Sequence, residues 1–224
     1  MKTKFLLLLV MLVAIKSFSQ QLSVVALKCE NKTNPLGVER QSPSLSWQLR
    51  LTGRNILQTA YRILVADDSV LLQKNIGNVW DSKKLVSDQS IQVQYKGQKL
   101  SSAKVYFWKV IVWDNKNHVS QWSEISKWQM GLLSKSDWNN AQWIAYEKIA
   151  DSLVDVLPSD VKKDTYEENN VLPLLRKSLV IKKRVKKATM FICGLGQFEL
   201  SINGKKIGDH FLDPGWTKYD QQAL

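Results

Sequence analysis

Apolar and polar residues alternate along much of this chain in short runs, and turn-forming residues break the runs at close spacing. Leu45, Trp47 and Leu49 share one side of an extended segment while Ser46, Gln48 and Arg50 share the other, the pattern of a strand with one wet face. Comparable signals occur at Tyr61 to Val65, Ile91 to Tyr95, Val105 to Trp113 and Trp122 to Met130. Pro43, Gly53, Asp67-Asp68, Gly97 and Asn115 to Asn117 punctuate them. This cadence predicts a small β-sandwich over residues 20–133, with Trp47 in its core.

Within that module Leu100 lies six residues before Tyr106, and Tyr106 opens a run in which Trp108, Val110 and Val112 continue on the same face. The spacing resembles the tyrosine corner of fibronectin type III-like sandwiches, where the tyrosine hydroxyl returns to the backbone near the leucine. The opposite face of the same run carries Phe107, Ile111 and Trp113 with only Lys109 polar. An outer face so apolar predicts that something covers it, and a further domain is the expected cover. Ser120-Gln121-Trp122-Ser123 is similar to part of the Trp-Ser box of cytokine-receptor sandwiches and is assigned to packing.

The next stretch, residues 134–174, reads as a connector and an irregular surface excursion, polar and acidic over residues 150–172. Strand signals resume near Lys177 to Ile181, Ala188 to Cys193, Phe198 to Asn203 and Lys205 to Ile207. Asn203-Gly204 is the pair favoured by a type I′ hairpin turn, whose two central residues both need positive φ. Phe198, Leu200 and Ile202 are expected to face inward. About four strands fit residues 175–224, against about eight in a jelly roll. The predicted fold class is therefore all-β: an immunoglobulin/fibronectin-III-like sandwich followed by an incomplete jelly-roll sandwich.

Lys2 and Lys4 precede an apolar run from Phe5 to Ile15, followed by Ser17-Phe18-Ser19, which predicts an export signal over residues 1–19 and a periplasmic or secreted product. The run is too short for the roughly 20 residues that span a bilayer, so no membrane span is expected after signal cleavage. The chain carries +12 formally, and without residues 1–19 it keeps 29 basic against 20 acidic side chains, or +9. Export argues against nucleic acid as a partner despite this charge. The densest basic cluster, Lys182-Lys183-Arg184-Val185-Lys186-Lys187, reads as a solvated turn, with acidic polymers as an alternative partner. Two Cys and two His exclude most metal and triad chemistry. Pairing of Cys29 with Cys193 is left open.

The phrases NPLGVERQSPSLSWQL, TAYRILVA, WDSKKLVSDQS, YFWKVIVWD, GLLSKSDWNNAQWI and FICGLGQFELSINGKKIGDHFLDPGWTKYD together resemble the amino-terminal portion of bacterial secreted α-L-rhamnosidases. The resemblance implies a fibronectin-like domain, a jelly-roll accessory domain, and further modules including an (α/α)6 barrel. That barrel hydrolyses terminal α-L-rhamnose with inversion, using two carboxylates roughly 6.5 to 9.5 Å apart. No residue here matches a catalytic position, so none is assigned and the chain is expected to be inactive alone. Its implied partner is the rest of the rhamnosidase chain or its catalytic barrel.

Asp67-Asp68 and Glu167-Glu168 are adjacent acids whose side chains diverge in an extended chain, and His118 and His210 read as surface residues. One carbohydrate-binding candidate remains. Trp216 and Tyr219 offer faces for a pyranose, while Asp213 and Asp220 offer carboxylates for its hydroxyls, or for calcium in the complete accessory domain. No cofactor and no metal ligand set is otherwise expected. The competing reading is a stand-alone secreted carbohydrate-binding or adhesion sandwich directed at rhamnose-containing glycans.

Overall fold

A computed structural model of the chain describes residues 22–51, 54–145, 173–185, 188–209, 211 and 214–215. The chain divides into two compact units, Met1–Trp138 and Asn139–Leu224. Among the described residues the first contains eight strands: β1 (Ser23–Cys29), β2 (Ser44–Arg50), β3 (Gln58–Ala66), β4 (Trp80–Asp81), β5 (Leu85–Val86), β6 (Val93–Gln94), β7 (Val105–Asp114) and β8 (Ser126–Gln129). A short helix, α1 (Ser69–Gln73), interrupts the series after β3.

The strands form two antiparallel sheets. One has the order β1-β2-β6; the other runs β4-β3-β7-β8, with β5 also paired to β3. Their inner faces meet in one core that holds Leu45, Trp47, Ile63, Val65, Trp108, Val110, Val112 and Trp128, each at most 2% exposed. Trp47 packs edge-on against Tyr61 with ring centroids 5.2 Å apart, joining β2 to β3 across the layers. Its indole N–H donates to Gln58 Oε1 at 3.0 Å, so the buried ring leaves no polar atom unpaired there. β1 carries a bulge between Val25 and Lys28, at which Ala26 adopts φ 53°.

The tyrosine corner is present. Tyr106 is 2% exposed and its hydroxyl accepts the backbone N–H of Ser101 at 2.9 Å, one residue beyond the buried Leu100. The outer face of β7 differs from expectation at one end, because the first unit covers it with its own residues. Asp68 caps α1 by accepting the N–H of Val70 at 2.9 Å, and Leu72 then packs on Leu64 and Ala66 of β3, with Leu71, Phe107 and Trp122 around them. The start of the predicted connector also docks on this unit. A 3₁₀ turn at Lys135–Trp138 places Asp137 Oδ2 to accept the hydroxyl of Ser102 at 2.5 Å and the N–H groups of Leu133 and Ser134 at 3.1 and 2.8 Å.

In the second unit the described residues form one ladder, β9 (Ser201–Ile202) against β10 (Lys205–Lys206). Asn203 and Gly204 turn between them at φ 51° and 76°, the left-handed pair expected of a type I′ hairpin. Phe198 and Leu200 are half-buried and Glu199 is exposed, as the alternation predicts, but Ile202 stays 42% exposed.

Candidate functional site

The four residues proposed for carbohydrate binding, Asp213, Trp216, Tyr219 and Asp220, lie outside the described residues, as do Glu167, Glu168 and His210. Close to them in sequence, the β9–β10 hairpin brings Lys206 Nζ to Glu199 Oε2 at 2.8 Å and over the Phe211 ring at 4.1 Å. Among the described residues no group of three His, Cys, Asp or Glu could hold a metal ion.

The polar constellation with the most defined geometry lies on the outer face of the larger sheet. Arg62 projects from β3, and its guanidinium donates two bonds to Asp81 of β4, Nε to Oδ1 at 2.9 Å and Nη2 to Oδ2 at 2.8 Å. This fork-to-carboxylate pairing fixes both side chains. Lys83 adds a third contact to Asp81 Oδ2 at 2.8 Å. One strand over, Lys109 is only 5% exposed, and its ammonium donates to Asn75 Oδ1 at 2.6 Å. Lys109 and Arg62 both lie over the Trp122 indole, at 4.6 and 6.0 Å from its centroid.

The serines on either side of Trp122 anchor it. Ser123 Oγ accepts the N–H of Val110 at 3.0 Å and Ser120 Oγ accepts that of Val112 at 3.1 Å, tying the segment to the free edge of β7. The Trp-Ser string is thus a packing device, as expected from its sequence. Arg62 and Asp81 were not legible as partners in the sequence. The one available signal was Lys109, a lone cation on an otherwise apolar face, which requires company to be buried.

Four carboxylates of this unit, those of Asp67, Asp81, Asp114 and Asp137, are lowered from their ordinary range. The Arg62 hydrogen bonds, reinforced by Lys83, hold the Asp81 carboxyl well below its ordinary range. Asp67 is lowered by hydrogen bonds from Lys104 Nζ at 2.7 Å and from Asn78 Nδ2 at 2.7 Å. Asp114 is almost wholly buried, which pushes its carboxyl up. The N–H groups of Lys116 and His118, each at 2.8 Å from Oδ1, and the His118 ring at 3.0 Å from Oδ2 more than offset this, so its pKa too is lowered. Asp137, held by Ser102 and Ser134, moves the same way. His118 is exposed, as expected, yet it is anchored to Asp114. An arrangement of this kind braces turns and strands. A general acid for glycoside cleavage needs the opposite, a carboxyl whose neutral form is favoured at neutral pH.

Comparison with known proteins gives two family matches. Residues 24–134 match the Rha78A-like, N-terminal immunoglobulin domain, and residues 183–224 match the alpha-L-rhamnosidase N-terminal domain. An α-L-rhamnosidase of Formosa agariphila is 38% identical over 202 residues, which cover 86% of this chain and 21% of the relative. One from an Alteromonas species is 35% identical over 195 residues, covering 86% of this chain and 20% of the relative. Among solved structures, the α-L-rhamnosidase of Dictyoglumus thermophilum aligns with a TM-score of 0.69 at 36% identity, covering 87% of this chain and 22% of that one. The chain spans about a fifth of the length of these relatives.

Proposed function

The chain carries the amino-terminal domains of the α-L-rhamnosidase family, and on that premise we propose that it is the accessory front section of an exported enzyme that removes terminal α-L-rhamnose. Its role in this reading is to brace the part of the protein that does the chemistry, while its own residues perform none. The observation that carries the proposal is that residues 24–134 and 183–224 match two amino-terminal domains of this family, in a chain that spans about a fifth of the length of its relatives. Export rests on the charge and hydropathy pattern of residues 1–19. No helix among the described residues is long and apolar enough to cross a membrane.

A chimera tests the accessory role. The Formosa agariphila relative, stripped of its first fifth, is compared with the same protein carrying this chain in that place, using a chromogenic α-L-rhamnoside as substrate. The reading expects the shortened relative to lose soluble, active protein and the chimera to recover it, while the 224-residue chain alone releases no chromophore. A chimera no better than the shortened relative, or turnover by the chain alone, contradicts it.

A further inference from the structure

Between Glu168 and Glu199 the sequence contains no acidic residue but seven cations: Arg176, Lys177, Lys182, Lys183, Arg184, Lys186 and Lys187. The first five lie among the described residues, and all five are exposed and outside any helix or paired strand. None of the five has an ionic partner among the described residues. By contrast, Arg40, Arg62, Lys83 and Lys104 of the first unit and Lys206 of the second each have a carboxylate within 4.0 Å. Eight residue steps separate Arg176 from Arg184, a span of at most about 28 Å, so the cations average about 7 Å apart. That spacing is shorter than the Debye length of about 10 Å at 0.1 M salt, so their fields add. A strip of unneutralised charge this dense costs self-repulsion, which a polyanion would relieve by counterion release.

We infer that residues 176–184 form a docking strip for an anionic polysaccharide bearing carboxylate or sulfate groups. The choice of a glycan over other polyanions rests on the function proposed above; the charge argument itself does not. The strip would hold an acidic glycan near the protein without reading its sugar sequence, because unpartnered Lys and Arg on an irregular segment provide charge and no directional pocket.

The test uses the full chain in affinity electrophoresis through gels containing polygalacturonate, with neutral dextran as reference. Three proteins are compared: the wild type, a variant with Arg176, Lys177, Lys182, Lys183 and Arg184 all changed to Gln, and a control of equal charge loss with Lys28, Lys32, Lys96, Lys99 and Lys127 changed to Gln. Tryptophan fluorescence checks that each is folded. The inference expects retention by polygalacturonate that weakens about tenfold or more between about 50 and 200 mM salt. It also expects retention to fall about tenfold or more in the strip variant and to change little in the control, as for loss of a local cation cluster.

Equal losses in both variants would reduce the effect to net charge and overturn the strip. So would salt-independent retention, absence of retention at low salt, or tighter binding to vesicles of anionic phospholipid than to polygalacturonate. Retention in this assay alongside an inactive chimera would sink the proposed function alone, and an active chimera without retention would sink the strip alone.

Discussion

Changing Tyr106 to Phe removes one oxygen and keeps the ring that packs against Trp128 at 5.7 Å between centroids. The lost oxygen accepts the Ser101 N–H at 2.9 Å at the tyrosine corner. An unsatisfied buried donor costs about 1–3 kcal/mol. The Ser101 side chain is exposed, so water reaches part of the vacated N–H and the cost falls in the lower half, about 1–2 kcal/mol. With a urea dependence of about 2 kcal/mol per molar, the middle of the range for small domains, the unfolding midpoint should drop by about 0.5–1 M. Tyr95 supplies the control, since its hydroxyl donates to the Gln98 carbonyl at 2.6 Å. A carbonyl that loses one donor can still accept from water, so Tyr95→Phe should cost about 0.5–1 kcal/mol. Urea titration followed by tryptophan fluorescence separates the two. A Tyr106→Phe midpoint indistinguishable from wild type, or a Tyr95→Phe loss larger than that of Tyr106→Phe, would refute the claim that the corner closes this sandwich.

Two further outcomes follow from the titrating groups. Because Asp67, Asp81 and Asp114 are lowered in the fold, their contribution is fully present above the ordinary carboxylate range and is lost as pH falls through the folded values, below about pH 4. The urea midpoint should therefore fall steeply on acidification below that range and less steeply in Asp81→Asn; equal slopes would assign the acid sensitivity elsewhere. Cys29 is 1% exposed and burial pushes its thiol up to about 12, whereas Cys193 is half-exposed, and both are free. Iodoacetamide at pH 8 should label Cys193 alone in the native chain and both cysteines in urea, and fast native labelling of Cys29 would contradict its burial.

The strands that were legible in the sequence are the long apolar-rich ones, β2, β3 and β7, of seven to ten residues; β7 keeps its alternation nearly throughout, whereas β3 is buried on both faces. β1 escaped because its bulge at Ala26 breaks the period and moves the following residues to the other face. α1 escaped because five residues are too few to establish a 3.6-residue period, and its cap, Asp68, reads as one more solvated acid. That miss had a consequence. With no helix expected, the apolar outer face of β7 pointed to a second domain as its cover, whereas Leu71 and Leu72 of α1 and Trp122 supply cover at Phe107. Arg62 and Asp81 were invisible for a different reason, being brought together by pairing of β3 with β4 across nineteen positions, which no local pattern encodes. The tyrosine corner, by contrast, is a contact between near neighbours, and its spacing carries it.

The two units differ in a way that weighs on the choice between an accessory section and a free-standing binder. The first buries Trp47, Trp108 and Trp128 between two sheets and needs no further cover for its core. In the second, Leu174, Val180 and Phe211 are 95%, 87% and 82% exposed, and Leu179 and Ile181 are 70% and 60% exposed. Each large apolar side chain left in water forgoes about 1.5–3 kcal/mol of burial, and an isolated two-stranded hairpin such as β9–β10 is marginal at best. Five such residues together forgo about 8–15 kcal/mol, as much as the whole stability of a typical domain. The described residues of the second unit leave that surface open. That much open apolar surface among the described residues agrees with the accessory section proposed above, in which other parts of the protein contribute cover, better than with a free-standing binder.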